Sequence, residues 1–599
     1  MSLRRGAPWL AVAVAVVCGL PLVGRGFTSE DFLLLRVLTE SPPWQDLHGW
    51  LFGPWLGIDV VRFYRPVSQL LLAFEANLFG AHSWLYGLVH LAVHAGCVAL
   101  VYRLGRQLAP AGSEEGVRGP LVAALLFAVY PLHPNAVAWI ASYATLFAAA
   151  FALAALSLWL DWRRLGGGWR WGASFGLFLA ALGSYEAAVV VPLLLAGTEL
   201  LRFAEEDRVA KRHVSKHHVP KWRALALAPF FVAVLAYLLF RRAIFGAAVG
   251  GYESFANRLA PGEWAGLAAD AVACLFRLLH PIYGGPLDGA APSWAALAVL
   301  AWLVVPVFLM LRGARPAAAV LRRWGYAWAW ALVSFLPFSF QPFVPANGRY
   351  AYLAAAGLAL GFGGFVAAVG AGAGRRRRAV VAAVALTAAL GVQWLALLPG
   401  NVVAHRQAGE EARRVSARLA DGVVGSALPG PLFVTGHPVF VRDAGGTPLA
   451  QVLRYGLNDS LRPPFRPGGG GPTVYPLPGI GQAPVAALRW EGERELFEVQ
   501  PAADLPAFTA QREGDAIRWE PVGGADGYRL VVATAGNPGF VEAAAEAEAV
   551  QLPADFVRSM QRLYAAPTFW WVEARAGGRV VALSRLQEIE PAVEEGGRP

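Results

Sequence analysis

Lysine is almost absent from this chain of 599 residues, in which Lys211, Lys216 and Lys221 are the only three. An anion bound elsewhere in the protein must therefore be met by arginine, histidine or backbone N–H groups. Charged residues of every kind are scarce, at 15% of the chain compared with about 25% in soluble domains. The deficit excludes an ordinary soluble protein and indicates many membrane-spanning segments.

Cysteine is also scarce, and Cys18, Cys97 and Cys274 all lie in apolar stretches. Their spacing fits neither a disulfide framework nor a metal site, so we interpret them as small buried hydrophobic residues. The net charge of +10 does not indicate nucleic-acid binding, because the arginines lie in short clusters between apolar runs. Clusters of that kind are typical of the cytoplasmic loops of membrane proteins.

Long apolar runs fill the first 400 residues and predict an α-helical polytopic membrane domain with about 11 transmembrane helices. Two further apolar segments, residues 67–80 and 262–280, contain charged residues. We expect these two to lie in the outer interface, because charge inside a membrane is costly. The predicted spans cover residues 7–23, 84–106, 119–133, 136–162, 169–184, 185–203, 222–241, 292–312, 324–341, 350–370 and 379–399.

The distribution of arginine and lysine predicts the orientation of these spans. The segments assigned to the cytoplasm hold 23 Lys and Arg residues, and those assigned to the outside hold nine. Since cytoplasmic loops are the more basic, we expect a multi-pass protein of the inner (plasma) membrane. Its N-terminus would be cytoplasmic, its C-terminal domain extracytoplasmic (periplasmic), and residues 25–83 its first outer loop within a membrane domain of residues 1–400.

The chain beyond residue 400 reads as water-exposed. Residues 401–500 are expected to form an extracytoplasmic juxtamembrane α/β region with a Pro/Gly-rich linker. From about residue 505 the pattern changes to short strands separated by turns. Residues 505–595 resemble a fibronectin type III-like β-sandwich, with Trp519 and Tyr528 as core aromatics. The predicted fold class is therefore a polytopic helical membrane protein with a C-terminal, mainly-β region.

The polar residues of the membrane domain fall on one side of the predicted topology. The first outer loop begins with Glu30 and Asp31 and ends near Arg65. A random scatter would not gather polar residues at one face, so we interpret them as one site. The remaining members of the set lie in the same loop or at the outer ends of other spans, namely Tyr64, His90, His94, His133, Asn135, Glu186, Asn347, Arg349 and Tyr350.

These residue types suit the transfer of a sugar from a lipid phosphate to a hydroxyl group. The reaction needs a base that takes the proton of the acceptor hydroxyl and cations that stabilise the departing phosphate. A carboxylate of the first outer loop can serve as the base. Arginine suits the phosphate because its planar guanidinium holds two oxygens at once and keeps its charge.

Four segments resemble signatures of the GT-C glycosyltransferases, in particular of bacterial relatives of the transmembrane TPR-containing O-mannosyltransferases. The resemblance covers about residues 7–400, with the segments in the expected order. It implies an inverting transferase that uses a polyprenyl-phosphate-linked sugar, with an acidic pair in its first outer loop. The segments are residues 64–67 together with 78–94, residues 132–140, residues 184–192 and residues 348–353.

Carried over to this chain, the resemblance makes Asp31 the catalytic carboxylate, and hence the general base, with Glu30 beside it. The family's phosphate-binding lysine is missing here, so Arg65 or Arg349 would have to contact the donor phosphate. The chain has Glu30-Asp31 where the family has two aspartates, and Tyr185 where it has lysine. It also lacks TPR repeats. Further candidates for the substrate pocket are Tyr64, His94, His133, Glu186 and Tyr350.

Each candidate also has a structural explanation. The acidic pair would cap a helix that begins at that point. Arg65 and Arg349 would reach lipid headgroups from the membrane interface. His90 and His94 have the spacing of two metal ligands on one helix face, but we favour a hydrogen-bonded interior pair that packs the spans together. Glu186 would be the structural partner of an arginine or a contact of the donor.

The predicted function is thus an integral membrane glycosyltransferase that acts on the extracytoplasmic side, with or without a divalent cation. Its partners would be a polyprenyl-phosphate-linked sugar, membrane lipids, and a glycan, lipid or protein acceptor. Two other functions stay open, a lipid or polysaccharide transporter and a non-catalytic envelope scaffold. A transporter predicts charges near the membrane midplane and broken helices in paired halves. A scaffold leaves the one-sided cluster unexplained.

Overall fold

Helices dominate the first 425 residues of the protein, and strands dominate the part that follows. Residues 213–224 with Lys216 and Lys221, the glycine run 468–471 and most of the predicted span 292–312 lie outside the described residues. The computed structural model describes residues 3–57, 62–109, 117–212, 225–246, 248, 264–281, 300–308, 317–338, 344–370, 377–425, 431–466, 472–536 and 538–589.

Short connections, several of them 3₁₀ turns, join the helices of the membrane part. The 3₁₀ turns that matter for the site are Ile140–Ser142, Glu186–Val190, Leu336–Phe338 and Pro345–Ala351. The helices are α1 (Leu3–Gly19), α2 (Glu30–Glu40), α3 (Leu47–Phe52), α4 (Pro66–Phe79), α5 (Ser83–Leu108), α6 (Arg118–Ala128), α7 (His133–Ala138), α8 (Tyr143–Leu165), α9 (Gly168–Leu182), α10 (Val191–Arg212), α11 (Ala228–Phe245), α12 (Trp264–Leu279), α13 (Ala317–Phe335), α14 (Tyr352–Gly370) and α15 (Arg377–Gly425).

Five helical stretches among the described residues are long and apolar enough to cross a membrane. Two shorter apolar helices, Gly6–Leu22 and Arg118–Ala128, accompany them, and α6 packs against both α5 and α14. The predicted apolar helical part is confirmed, whereas the number of 11 spans stays a prediction. The five stretches are Ser83–Leu108, Ile140–Leu165, Ala228–Phe245, Pro345–Val369 and Val380–Gly422.

The first outer loop is itself largely helical. Its last helix, α4, begins at Pro66, whose restricted φ suits the first position of a helix. The buried faces of α2 and α4 share one hydrophobic cluster with Tyr143 and Tyr185 of the helical bundle. The loop is therefore packed onto the bundle, and this packing fixes the positions of its two charged ends.

The long helix α15 connects the membrane part to the C-terminal region. It continues without a break past Pro399, so the predicted exit helix after residue 400 is an extension of the last membrane helix. Its final turns bury Ala408, Ala412 and Val415 against the strands that follow. A Cβ atom at Gly409 would lie 1.8 Å from the carbonyl oxygen of Arg25, so this close approach to the first loop requires glycine.

The first part of the C-terminal region is a mixed sheet beside α15. Its strand order is β4-β1-β5-β6, with β1 parallel to β4 and β5, and β5 antiparallel to β6. Strands β2 and β3 form a separate antiparallel pair. The strands are β1 (Leu432–Thr435), β2 (Phe440–Arg442), β3 (Pro448–Gln451), β4 (Val474–Leu477), β5 (Ala487–Glu491) and β6 (Leu496–Gln500).

The last part of the chain forms two sheets that enclose a shared core. Trp519 and Tyr528 are buried in it with their ring centroids 5.0 Å apart, as predicted. The mainly-β character is confirmed, and the fibronectin type III assignment stays a prediction. One sheet has the order β11-β10-β13-β14-β7 with β15 beside β13, and the other the order β12-β9-β8. The elements are β7 (Ala507–Phe508), β8 (Ala510–Glu513), β9 (Ala516–Trp519), β10 (Gly527–Ala533), β11 (Gly539–Ala544), β12 (Ala549–Gln551), α16 (Ala554–Tyr564), β13 (Thr568–Ala576), β14 (Arg579–Ser584) and β15 (Gln587–Ile589).

Helix α2 of the first outer loop contacts both the helical bundle and the C-terminal region. The Nε atom of its buried Arg36 lies 2.5 Å from Oδ1 of Asp459, in the C-terminal region. Tyr564, at the end of α16, donates a hydrogen bond to the other oxygen of Asp459 at 2.9 Å, and its ring lies under the Arg36 guanidinium. This buried network fixes the start of α2 relative to the C-terminal region.

Candidate active site

Asp31 lies in the first turn of α2 and has no exposed surface. Its Oδ2 accepts hydrogen bonds from Nη2 of Arg25 and from the backbone N–H of Thr28, each at 3.0 Å. Its Oδ1 accepts a hydrogen bond from the backbone N–H of Ala141 at 2.7 Å. Arg25 also donates to the carbonyl oxygen of Ala138. Asp31 and Arg25 therefore form a buried ion pair that ties the first outer loop to the turn between α7 and α8.

Ser29 shapes the backbone in front of the two carboxylates. Its φ of 47° lies in the left-handed region, which residues other than glycine rarely adopt. Three contacts from the C-terminal region hold this conformation. The Ser29 N–H donates to the carbonyl oxygen of Val452 at 2.7 Å, and the Ser29 hydroxyl lies 3.1 Å from the side-chain oxygen of Gln451. The same hydroxyl accepts a hydrogen bond from the backbone N–H of Tyr455 at 3.3 Å.

Glu30 follows this strained residue and is half-buried. Its Oε2 accepts a hydrogen bond from the Ser29 hydroxyl at 2.6 Å. Within the described part of the chain, no ion pair joins its carboxylate to an arginine, although the charges of Arg349 and Arg454 act on it. Glu30 thus differs from its neighbour Asp31, because part of its surface remains accessible.

Burial raises the pKa of both carboxyl groups above their ordinary values. For Glu30, the Ser29 hydroxyl and the charges of Arg349 and Arg454 partly oppose this rise. For Asp31, the Arg25 charge and two backbone N–H groups oppose it. A raised pKa on an accessible carboxylate is typical of a general base, and Glu30 combines the two properties.

Arg65, at the other end of the loop, is paired with Glu186. Its Nε and Nη2 lie 3.0 and 2.8 Å from Oε2 of Glu186, and both side chains are largely buried. A second cation, Nη1 of Arg241, lies 3.6 Å from the other carboxylate oxygen. The Arg65 guanidinium also packs over the rings of Phe63 and Tyr185, at 4.0 and 4.7 Å from their centroids. Glu186 is thus the partner of an arginine, one of the two roles considered for it.

A stack of three aromatic rings connects Arg65 to Arg349. The rings of Tyr185 and Phe338 are nearly parallel with centroids 6.0 Å apart, and those of Phe338 and Tyr350 are 4.6 Å apart. The Arg349 guanidinium lies over Tyr350 at 4.3 Å and donates to its hydroxyl at 2.8 Å. Tyr185, which stands at the place of the family's lysine, therefore lies at one end of a stack whose two ends carry arginines.

Arg349 is held by the 3₁₀ turn Pro345–Ala351. Its backbone N–H donates to Oδ1 of Asn135 at 3.0 Å, and its guanidinium donates to the carbonyl oxygen of Ala346 at 3.2 Å. The guanidinium also lies over the ring of Trp139, 4.7 Å from its centroid. None of these partners is negatively charged. Among the described residues, the Arg349 charge is therefore not neutralised by an ion pair.

The histidine candidates lie inside the helical bundle. Nδ1 of His94 is 2.6 Å from the hydroxyl of Tyr352, and the His133 ring lies 4.4 Å from the ring of Tyr352 and 5.1 Å from that of His94. His90, one turn before His94 on the same helix, has Nε2 3.7 Å from the carboxylate of Glu75. Within the described residues, His94 is thus hydrogen-bonded inside the bundle, whereas the buried ring nitrogens of His90 and His133 have no hydrogen-bond partner.

Tyr64 packs between the first outer loop and α11. Its hydroxyl donates to the carbonyl oxygen of Leu51 at 2.8 Å, and its ring lies against that of Phe240, with the centroids 5.0 Å apart.

The structure thus separates the candidate site residues into three groups. The groups are the acidic pair with Arg349 and Tyr350, the Arg65–Glu186 pair at the far end of the aromatic stack, and the packed residues Tyr64, His94 and His133.

Two of the three carboxylates of this region, Asp31 and Glu186, already have partners in place of a divalent cation. Asp31 is already surrounded by donors, and Glu186 is paired with Arg65. The part of the chain that the structure describes contains no group of three His, Cys, Asp or Glu residues that could hold a metal ion. We therefore assign no catalytic step to a metal ion.

Sequence reasoning missed two contributions to this region. Arg25 was counted only in the topology, although its position between the first span and Asp31 was a signal for an ion pair. Residues 451–456 supply the contacts of Ser29 and place Arg454 near Glu30. Their separation of about 420 residues along the chain left no signal in the sequence.

No protein-family model and no curated protein matches this sequence. Solved structures of the Archaeoglobus fulgidus oligosaccharyltransferase are similar in fold. A crystal structure of its complex with Zn and sulfate has 15% sequence identity and a TM-score of 0.37, and covers 71% of this chain and 60% of its own. The structure of this enzyme, AglB, with an inhibitory peptide and a dolichol-phosphate has 13% identity and a TM-score of 0.36, and covers 72% and 62%.

The chain thus spans about three fifths of the length of these structures. At this level of similarity, the functional assignment depends on the residues of the site itself.

Proposed function

We propose that this protein is an integral membrane glycosyltransferase of the GT-C type. It would transfer a sugar from a polyprenyl-phosphate-linked donor to an acceptor hydroxyl on the extracytoplasmic side of the inner membrane. The observation that carries the proposal is that the half-buried carboxylate of Glu30 and the guanidinium of Arg349, which forms no ion pair among the described residues, lie at the edge of an apolar helical bundle, where the Arg349 charge lowers the pKa of Glu30. A lipid-linked donor is confined to such a boundary, since its tail stays in the membrane and its phosphate stays in water.

In the proposed reaction, the carboxylate takes the proton of the acceptor hydroxyl. The hydroxyl oxygen forms a bond to the anomeric carbon of the sugar while the bond from that carbon to the phosphate oxygen breaks. The electron pair of the broken bond remains on the phosphate, which leaves as polyprenyl phosphate. Attack in line with the departing group inverts the anomeric configuration. Arg349 would stabilise the charge that develops on the phosphate.

The contacts favour Glu30 over Asp31 as the base. Asp31 has no exposed surface and already accepts hydrogen bonds on both oxygens, whereas part of Glu30 is exposed and can be reached by an acceptor hydroxyl. We assign Asp31 to positioning, because it fixes the turn from which Glu30 projects. The assignment of the base to Asp31, which the family resemblance implies, is the competing proposal.

The two arginines also receive different roles. Arg349 is the proposed phosphate contact, because no carboxylate neutralises it among the described residues. Arg65 is bound to Glu186 and packed on Tyr185, so we propose that it positions the aromatic stack that ends at Arg349. An acceptor, whether glycan, lipid or protein, would approach between the first outer loop and the C-terminal region.

The test uses the purified full-length protein in lipid nanodiscs with polyprenyl-phosphate sugars as donors and measures release of polyprenyl phosphate. The unaltered protein is expected to release it when acceptor is added. Glu30→Gln is expected to lower the rate about 10²–10⁴-fold, the usual contribution of a general base. Thermal unfolding of each variant, measured in parallel, separates loss of chemistry from loss of folding.

The outcomes distinguish the competing proposals. If Glu30→Gln keeps full activity while a folded Asp31→Asn variant loses it, the base is Asp31. If the unaltered protein releases no polyprenyl phosphate from any donor, the transferase proposal fails and the envelope scaffold is favoured. Movement of an intact lipid-linked sugar across the bilayer without its cleavage would favour the transporter.

A further inference from the structure

We propose that Arg454, in the C-terminal region, is a second phosphate-binding arginine of this site and contacts the phosphate of the lipid-linked donor together with Arg349. This inference rests on the proposed function and deepens it. It makes the C-terminal region part of the substrate site.

The backbone around Arg454 is anchored to the acidic pair. The next residue, Tyr455, donates its backbone N–H to the Ser29 hydroxyl at 3.3 Å, and that hydroxyl donates to Glu30 at 2.6 Å. Gly456 then adopts a φ of 75°, and a Cβ atom there would lie 2.4 Å from the carbonyl oxygen of Ser29. The chain that carries Arg454 is therefore in direct contact with the start of α2.

The same segment also reaches Arg349. Strand β3, which ends three residues before Arg454, packs against the 3₁₀ turn Pro345–Ala351 that carries Arg349. Both guanidinium groups act electrostatically on the Glu30 carboxylate. The two arginines thus belong to segments that pack against each other, and the segment of Arg454 also contacts the residue before Glu30.

The side chain of Arg454 is available to a ligand. It is exposed, and its guanidinium lies over the ring of Tyr455, 5.1 Å from the centroid. Stacking on a ring orients a guanidinium and leaves N–H groups at its edge to bind an anion. Within the described residues, no carboxylate forms an ion pair with it.

The charge balance of this group suits a departing phosphate. Glu30, Arg349 and Arg454 together carry one positive charge while Glu30 is ionised. When Glu30 takes the acceptor proton, the three groups carry two positive charges. The phosphate gains one negative charge in the same step, so the change at the site matches the change on the leaving group.

The test measures binding of farnesyl phosphate, a short polyprenyl phosphate, to the full-length protein in nanodiscs of neutral phosphatidylcholine. Arg454→Gln is expected to weaken binding about 10–100-fold, the loss of a charge-assisted contact worth about 1.5–3 kcal/mol. Farnesol, which lacks the phosphate, should bind the variant and the unaltered protein equally. Arg442→Gln is the matched control, since Arg442 is also an exposed arginine over an aromatic ring, at 5.4 Å from Phe440.

Two results would overturn the proposal. One is equal farnesyl phosphate affinity of the Arg454→Gln and Arg442→Gln variants. The other is an effect of Arg454→Gln that appears only in nanodiscs with anionic phosphatidylglycerol, which would make Arg454 a contact of bulk lipid headgroups. If no donor is cleaved but Arg454→Gln still weakens farnesyl phosphate binding, the proposed function fails and this inference stands. If donors are cleaved and Arg454→Gln binds normally, only this inference fails.

Discussion

Two regions of this protein both contain carboxylates and arginines, which form ion pairs in one region and do not form them, among the described residues, in the other. In the buried region, the pairs Arg25–Asp31 and Arg65–Glu186 are closed by short contacts. In the accessible region, neither Glu30 nor Arg349 forms an ion pair among the described residues, although the Arg349 charge lowers the pKa of Glu30. Adjacent residues of the sequence, Glu30 and Asp31, fall on opposite sides of this division.

This difference separates charged residues that stabilise the fold from charged residues that can take part in the reaction. A buried charge is tolerated when a partner and hydrogen bonds compensate its loss of hydration, and such a pair then has no capacity left for a ligand. A charge that lacks a partner at a partly hydrated position can bind a substrate or exchange a proton. The closed pairs are therefore expected to control stability, and the open charges are expected to control activity.

The largest expected effect is on the buried side. Asp31→Ala should lower the free energy of unfolding by about 3–5 kcal/mol, because it leaves Arg25 buried without its counter-ion. Denaturant unfolding of the purified protein measures this change. Asp46→Ala is the control, since Asp46 is an exposed helix cap in the same loop, and should cost about 1 kcal/mol. Equal effects of the two variants would contradict the structural role of Asp31.

Removal of Glu186 should have a somewhat smaller effect. Glu186→Ala should lower the free energy of unfolding by about 3 kcal/mol, near the lower end for breaking a buried pair, because Arg65 keeps its stacking on Phe63 and Tyr185. The double variant with Arg65→Leu should lose less than the sum of the two single variants, since the charges depend on each other. Strict additivity in unfolding experiments would show that the pair is not coupled.

The next prediction concerns Arg349, in the accessible region. Arg349→Gln should raise KM for the lipid-linked donor about 10–100-fold, the loss of about 1.5–3 kcal/mol for a charge-assisted contact. Its free energy of unfolding should change by about 1–2 kcal/mol, because the stacking on Trp139 and Tyr350 and the hydrogen bonds to the Ala346 carbonyl and the Tyr350 hydroxyl are lost at a half-buried position. Arg349→Lys, which keeps the charge, should recover part of the affinity. A large loss of stability with unchanged KM would show that Arg349 stabilises the fold and does not bind the donor.

The smallest expected effect is on the pH dependence of kcat/KM. The pKa of Glu30 is raised above its ordinary value of 4.5, mainly by burial. A base must be deprotonated, so kcat/KM should rise with pH through a limb whose midpoint lies above 4.5. Arg349→Gln should move this limb to higher pH, because the Arg349 charge lowers the pKa of Glu30. A limb that persists unchanged in Glu30→Gln would assign the titration to another group.

The sequence located the charged residues of the first outer loop, but it did not show which of them are buried in ion pairs and which are accessible. Glu30 and Asp31 could be recognised as a pair because they are adjacent and follow an apolar run. Which of them is buried depends on Arg25, Ala141 and residues 451–456, and no periodicity records those contacts. The role of Tyr185 was equally hidden, because the stack to Phe338 and Tyr350 forms only after distant turns meet.

The sequence by itself determined the apolar helical part, the change to strands after residue 430 and the set of candidate residues. These properties depend on local composition and periodicity, which short segments carry without reference to the rest of the chain. Only the tertiary structure decided which charges are paired and which remain accessible. Ion pairs such as Arg36–Asp459 and Arg65–Glu186 join residues far apart in sequence, and burial, which sets the energy of each charge, is a property of the whole fold.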